Sequence, residues 1–160
     1  FELDEAHPGI LSHLRPYVGV SDDDLADLVK ALVRLHPAIV RSALVDREIC
    51  GALWSLCASV DVLATRPGST VRRNGLADEA SLLRLDRWMD AIETFSVGMM
   101  LGHALNTCTF HVAELVADGQ LEDPAAFFFL VPLLRDMACD PDEDTAETSR
   151  RAIQRMKGNT

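Results

Sequence analysis

The sequence predicts an all-α fold, a single-domain bundle of six or seven helices over residues 1–160 with a central pair of apolar helices. Apolar residues recur at helical spacing through most of the chain, whereas the strict alternation that is typical of strands is almost absent. Apolar residues make up 48% of the sequence, enough for a real core. An uncharged run from Thr94 to Ala113, in a chain of net charge −10, further predicts a helix enclosed by other helices.

The first helices follow from caps and apolar spacing. Ser21 and the three aspartates after it form a capping box with acids in the first turn, and leucines and valines follow at helical spacing. Pro37 should end this helix at His36, because the residue before a proline avoids the α conformation. Ala38 to Ala64 is again helical in pattern, broken near Asp46 as a second N-cap. Its apolar residues cover more than one side, so we expect a central position.

Arg66 to Gly75 contains Pro-Gly and Asn-Gly turn signals, which predict an ordered loop, with a short hairpin as the alternative. From Asp78 onward, apolar residues recur every three or four positions. This block is one long helix or, as we favour, two helices with a break around Gly102–Thr109, where glycine and β-branched residues lower helix propensity. Asp118 and Gly119 should end it.

The last third of the chain predicts two more helical segments. Asp123 and Pro124 open the first, which Pro132 should kink. The last helix should start in the capped segment Asp140–Glu143 and stop at Gly158.

Three consecutive phenylalanines lie in the first of these segments, namely Phe127, Phe128 and Phe129. On a helix they spread over about 200° of arc, more than one face of a core buries. The sequence therefore predicts either an enclosed helix or a helix on which at least one phenylalanine contacts a ligand or a second subunit. If the contact is with a second copy of the chain, the protein is a homo-oligomer.

Composition bounds the partners and the compartment. Cys50, Cys57, Cys108 and Cys139 all lie in apolar surroundings, and no basic and apolar segment opens the chain, which together favour reduced thiols in the cytoplasm. The charge of −10 repels nucleic acid, so we expect a basic protein partner instead.

The uncharged run also contains a glycine pair, Gly98 and Gly102, at the spacing that close-packed membrane helices use. Polar side chains in the same run, including Thr107 and His111, would need partners in hydrocarbon. We therefore expect a buried soluble helix whose glycines let a neighbouring helix approach, and no membrane partner.

Four polar residues are candidates for a pocket: His103, Asn106, His111 and Asp61. They support an alternative function, a helical enzyme or small-ligand binder with its pocket between the central helices. The more conservative interpretation is that the histidines are hydrogen-bonded core groups and that Asp61 either forms an ion pair or lies at a partly solvated helix end. The arginines considered for that pair are Arg41, Arg47 and Arg84.

We expect neither a metal nor another cofactor. A closed zinc site needs about four tetrahedral ligands, which the segment around His103 does not supply. The Glu-x-x-His pattern of di-iron bundles is also missing from the sequence.

Acidic residues provide the candidate binding surface. Residues 76–123 contain nine acids against two bases, and Asp86, Asp90 and Glu93 among them line one face of a helix. Asp22 and Asp23 form a second candidate patch. Such patches bind basic partners or simply keep a protein soluble.

The sequence contains no Walker loop, no dinucleotide-binding glycine pattern, and no paired C-x-x-C or nucleophile-elbow motif. These observations predict a non-enzymatic, acidic helical protein-interaction module. One concrete version is a bacterial immunity or inhibitor protein that neutralises a basic toxin or nuclease.

Overall fold

The computed structural model describes residues 19–42 and 44–158, and all regular structure within these ranges is helical. Six helices longer than one turn pack around a common core, so the predicted all-α bundle of six or seven helices is confirmed. The α-helices are α1 Asp22–Val40, α2 Arg47–Val60, the single turn α3 Thr70–Arg73, α4 Glu79–Met100, α5 Leu105–Ala117, α6 Val131–Met137 and α7 Glu143–Met156. A π-helical turn, Asp61–Thr65, extends α2, and a 3-10 helix, Pro124–Leu130, leads into α6.

Most helix starts lie where the capping residues predicted them. The Ser21 hydroxyl accepts the N–H of Asp24 at 3.2 Å, and the Asp24 carboxylate accepts the N–H of Ser21 at 3.0 Å, which completes the capping box. Asp46, Asp78 and Asp142 cap α2, α4 and α7 through their side-chain oxygens. Each cap satisfies backbone N–H groups that the first helical turn leaves unpaired.

The first helix does not end at His36 as predicted, because α1 continues through Pro37 to Val40. A proline in the last turn removes only one backbone hydrogen bond. Two tertiary contacts hold this turn in place: Ile39 is buried in the core, and the Nε2 of His36 donates to the backbone carbonyl of His103 at 2.8 Å.

The uncharged run breaks within the predicted region. α4 ends at Met100, α5 begins at Leu105, and Gly102 adopts a φ of +80° in the turn between them. Gly98 is buried in α4, and a Cβ added there would lie 3.1 Å from the Sγ of Cys108 on α5. The expectation that a glycine allows close approach of a neighbouring helix is therefore confirmed at Gly98.

The core centres on α4 and α5. α4 packs against α1 and α5, and α5 packs against α7. The largest fully buried side chains come from these helices, from the 3-10 helix and from α6, and include Leu25, Leu32, Trp88, Ile92, Phe95, Met99, Phe127 and Leu134.

The position of α2 differs from the prediction. It lies at the periphery, packs on α4, and buries only Val60 fully, while Trp54 on its outer side is 74% exposed. Two apolar stripes on one helix predicted enclosure, but the second stripe has no covering helix among the described residues. After it, Ser69 caps the short helix α3, so Arg66–Gly75 is neither a plain loop nor a hairpin.

The stretch from Arg47 to Arg73 is long and apolar enough to cross a bilayer by length and composition. Its most apolar window has a mean hydropathy of 1.3, and only 22% of that window is buried. Ile49, Leu53 and Leu56 of α2 are partly buried against the core, whereas Trp54 on its other side is exposed.

Candidate functional site

Asp86, Asp90 and Glu93 are exposed on α4 at positions i, i+4 and i+7, which places them on one face of the helix. We call these three residues the acidic stripe. None of them forms an ion pair within residues 19–42 and 44–158. The acidic stripe thus has three carboxylates without a direct ion-pair partner in this part of the chain, and Asp86 interacts electrostatically with the guanidinium of Arg72.

The surroundings of Asp90 disfavour the negative charge of its carboxylate. Partial burial raises the pKa of its carboxyl, and the neighbouring charge of Asp86 raises that pKa further. Both causes disfavour the ionised form, whereas a cation placed beside Asp90 would favour it.

An apolar groove continues from the acidic stripe. Its volume is about 650 Å³, and it lies between α2 and the second half of α4. Trp54 and Val97 on its walls are 74% and 48% exposed. The apolar groove is lined mainly by Leu53, Trp54, Cys57, Ala58, Val97 and Met100.

Among the residues that the structure describes, the charged ones that line the apolar groove are Asp61 and Glu93, and none is a lysine or arginine. Neither carboxylate has an ion-pair partner in the described part of the chain. Burial raises the pKa of the nearby Cys57 thiol, and the charge of Glu93 adds to this effect. The groove is thus apolar with a negative potential.

The expected ion pair of Asp61 is absent from the described structure. Asp61 is exposed at the end of α2, and Arg84 instead lies 3.0 Å from Glu122 and 3.6 Å from Asp22. Asp61 instead lies at a solvent-exposed helix end, which is the other structural arrangement that the sequence predicted, and an exposed carboxylate needs no partner.

The four residues of the predicted pocket lie in different places. His103 is exposed in the α4–α5 turn, and Asn106 at the start of α5 accepts the N–H of Thr107 at 2.9 Å. His111 is exposed, contacts Glu114 at 2.7 Å, and borders a different pocket from the one that Asp61 borders. Both histidines that were predicted to be core groups, His103 and His111, are thus surface residues.

Within the described residues, no group of three or more histidine, cysteine or acidic side chains is arranged to hold a metal ion. The thiol of Cys108 is buried and its pKa is raised by that burial, which makes it a poor nucleophile.

The second candidate patch divides into two different environments. Asp23 is exposed, but Asp22 is buried and accepts the backbone N–H groups of Glu122 and Asp123, each at 2.6 Å. Asp22 therefore cannot contact a partner, and its predicted role in binding is corrected to a structural one.

The three phenylalanines also differ. Phe127 is fully buried against Trp88, with 5.1 Å between ring centroids, and the ammonium of Lys30 lies 5.3 Å from the ring centre of Phe129. Only Phe128, which is 51% exposed, is open to a second subunit or ligand.

Sequence reasoning missed the apolar groove. The signal was present in α2, where Trp54, Cys57 and Ala58 form a second apolar stripe beside the one that packs on α4. A tryptophan on such a stripe is typical both of a buried core and of an exposed binding surface. Only the arrangement of the neighbouring helices shows which of the two applies.

Comparison with known proteins adds no family. No protein-family model matches the chain, and neither a curated protein nor a solved structure is significantly similar to it.

Proposed function

We propose that this protein is a non-enzymatic interaction module that binds a basic protein through the acidic stripe. The observation that carries the proposal is the presence of three exposed carboxylates on one face of α4, none of which has an ion-pair partner among the described residues. Within the described residues the stripe differs from several other acids, which are neutralised locally. Such pairs are Asp27 with Lys30, Glu79 with Arg72, Asp118 with Arg151, and Glu143 with Arg150.

Unpaired charge on a rigid helix favours recognition by a partner of opposite charge. Three carboxylates along about two turns provide a negative surface that steers a basic protein and orients it on contact. A cation beside Asp90 would favour the ionised carboxylate, which burial and the charge of Asp86 disfavour. Asp23, exposed on α1, is a candidate for a peripheral contact.

A bacterial immunity or inhibitor protein in the cytoplasm is a concrete version of this function. A toxin that cleaves nucleic acid carries positive charge in its own substrate site, and an acidic surface blocks such a site by complementarity. The net charge of −10 supports this version. The enzyme or ligand-binding alternative is less favoured because Asp61 and His111 border different pockets.

Co-purification from the native cell tests the proposal. The bait is the wild-type protein, and the variant is Asp86→Asn, Asp90→Asn and Glu93→Gln together. We expect a basic protein to be retained by the wild type and lost from the variant. The matched control makes the same charge change on α7, where Glu143, Asp144 and Glu147 become Gln, Asn and Gln. Equal retention of every partner by the stripe variant and the wild type would refute the proposal.

A further inference from the structure

We infer that the apolar groove between α2 and α4 receives an amphipathic helix of the basic partner, with apolar side chains in the groove and cationic ones over the acidic stripe. This inference rests on the proposed function and names the part of the partner that is recognised.

The outer face of α4 changes character along its length. Asp86, Asp90 and Glu93 are followed on the same face by Val97 and Met100, with alternate spacings of four and three residues. The first three are the acidic stripe, and the last two line the apolar groove. A single elongated partner segment would therefore meet negative charge first and apolar surface next.

The groove has the length that suits a helix. Its α2 wall extends from Cys50 to Asp61, which is about 16 Å, or three turns, at 1.5 Å per residue. Helices that bind in grooves insert apolar anchors at i, i+3 or i+4, and i+7, over a similar length. Trp54 is the candidate anchor contact on this side, because a large exposed aromatic at the edge of a pocket is typical of binding hot spots.

Charge complementarity selects the partner. Among the described residues, the lining includes no base and two carboxylates without ion-pair partners, Asp61 and Glu93. A second copy of this chain would bring its own net charge of −10 towards them, and an anionic lipid surface would repel them. An amphipathic helix with lysine or arginine beside its apolar face would place apolar side chains in the groove and cations next to the carboxylates.

Trp54 makes the inference measurable. The other tryptophan, Trp88, is fully buried and packs with a tilted ring against Phe127, so covering of the groove should alter the fluorescence of Trp54 alone. The probe is a synthetic helix of leucine and lysine, about 18 residues or five turns long. A second peptide with glutamate in place of every lysine is the charge control.

We expect the leucine–lysine peptide to shift the emission of Trp54 to shorter wavelength in a saturable manner and to protect it from acrylamide quenching. The variant Trp54→Phe should lose the shift. Val97→Gln should weaken binding about tenfold, and Asp61→Asn with Glu93→Gln should weaken it by a similar factor. Phe128→Gln, which changes an equally exposed apolar residue, should bind like the wild type.

Three results would overturn the inference. The first is no saturable shift, or an equal shift with the glutamate peptide. The second is a shift that grows with protein concentration alone, which would make the occupant a second copy. The third is a shift produced by phosphatidylglycerol vesicles and not by the peptide. If Val97→Gln binds normally while neutralising the acidic stripe still abolishes binding of the cellular partner, the groove inference fails and the proposed function stands.

Discussion

The carboxylate of Asp22 accepts the backbone N–H of Glu122 at 2.6 Å, which joins the first turn of α1 to the segment before the 3-10 helix. The same oxygen accepts the N–H of Asp123, and the other oxygen lies 3.6 Å from the guanidinium of Arg84 on α4. One buried carboxylate thus connects three parts of the bundle.

Replacing Asp22 should therefore destabilise the fold rather than weaken binding. We expect Asp22→Ala to lower the free energy of unfolding by about 2–4 kcal/mol, because two backbone donors and Arg84 lose a buried partner. The exposed neighbour provides the control, and Asp23→Ala should cost less than about 1 kcal/mol. Urea denaturation measures both, and equal losses for the two variants would contradict the role of Asp22.

Two glycine-to-alanine variants test the packing of α4 on α5, with Gly98 at the contact and Gly51 as the control on α2. Gly98→Ala places a Cβ 3.1 Å from the Sγ of the buried Cys108, so it should destabilise the protein by about 1–3 kcal/mol. At Gly51 on α2, no atom of the described residues lies within 4 Å of an added Cβ. Gly51→Ala should therefore stabilise α2 by up to about 1 kcal/mol through its higher helix propensity. Thermal unfolding of both variants should give shifts of opposite sign.

Replacing Asp90 with asparagine should stabilise the protein to an extent that depends on pH. Burial and the charge of Asp86 raise its pKa in the folded chain, so ionisation disfavours folding above the unfolded pKa of about 3.9. Asp90→Asn removes this effect and should raise the Tm at pH 7. The difference should disappear below the unfolded pKa, where Asp90 is protonated in both states. A Tm at pH 7 that is lower in the variant would show that Asp90 stabilises the fold.

The N-cap of α7 predicts the opposite pH dependence. Hydrogen bonds from the side chain and backbone of Thr145 lower the pKa of Asp142. Its contribution to stability is therefore complete above the unfolded pKa of about 3.9 and is lost as the pH falls through the lower folded value. Asp142→Ala should lower the Tm at pH 7, and the deficit should shrink in strong acid. A deficit that is constant from pH 7 to pH 2 would exclude the charge of Asp142 as its cause.

The sequence predicted the helices well because their signals are local. Ser21, Asp46, Asp78 and Asp142 each cap a helix through atoms within a few residues of the cap, so spacing alone reveals them. Pro37 is the exception, since tertiary contacts of its neighbours outweigh one lost backbone bond.

The surface was harder to predict because burial is not local. Asp22 and Asp23 are adjacent in the sequence, yet Asp22 is buried beside Arg84 and Asp23 is exposed to solvent. The sequence pattern around Trp54 predicts a core residue. Trp54 is exposed because no helix in the described ranges covers it. Asp86, Asp90 and Glu93 were predicted correctly as one exposed face, because a single helix determines their relative positions.

The most direct test of the acidic stripe is the salt dependence of partner affinity. The Kd of the co-purified basic partner is measured at several salt concentrations for the wild type, the variant with a neutralised acidic stripe, and the α7 control. We predict a Kd that rises steeply with salt for the wild type and the control, and a weaker, flatter dependence for the stripe variant, because ion pairs exposed to solvent are screened. The same affinity and the same slope in all three proteins would contradict the account.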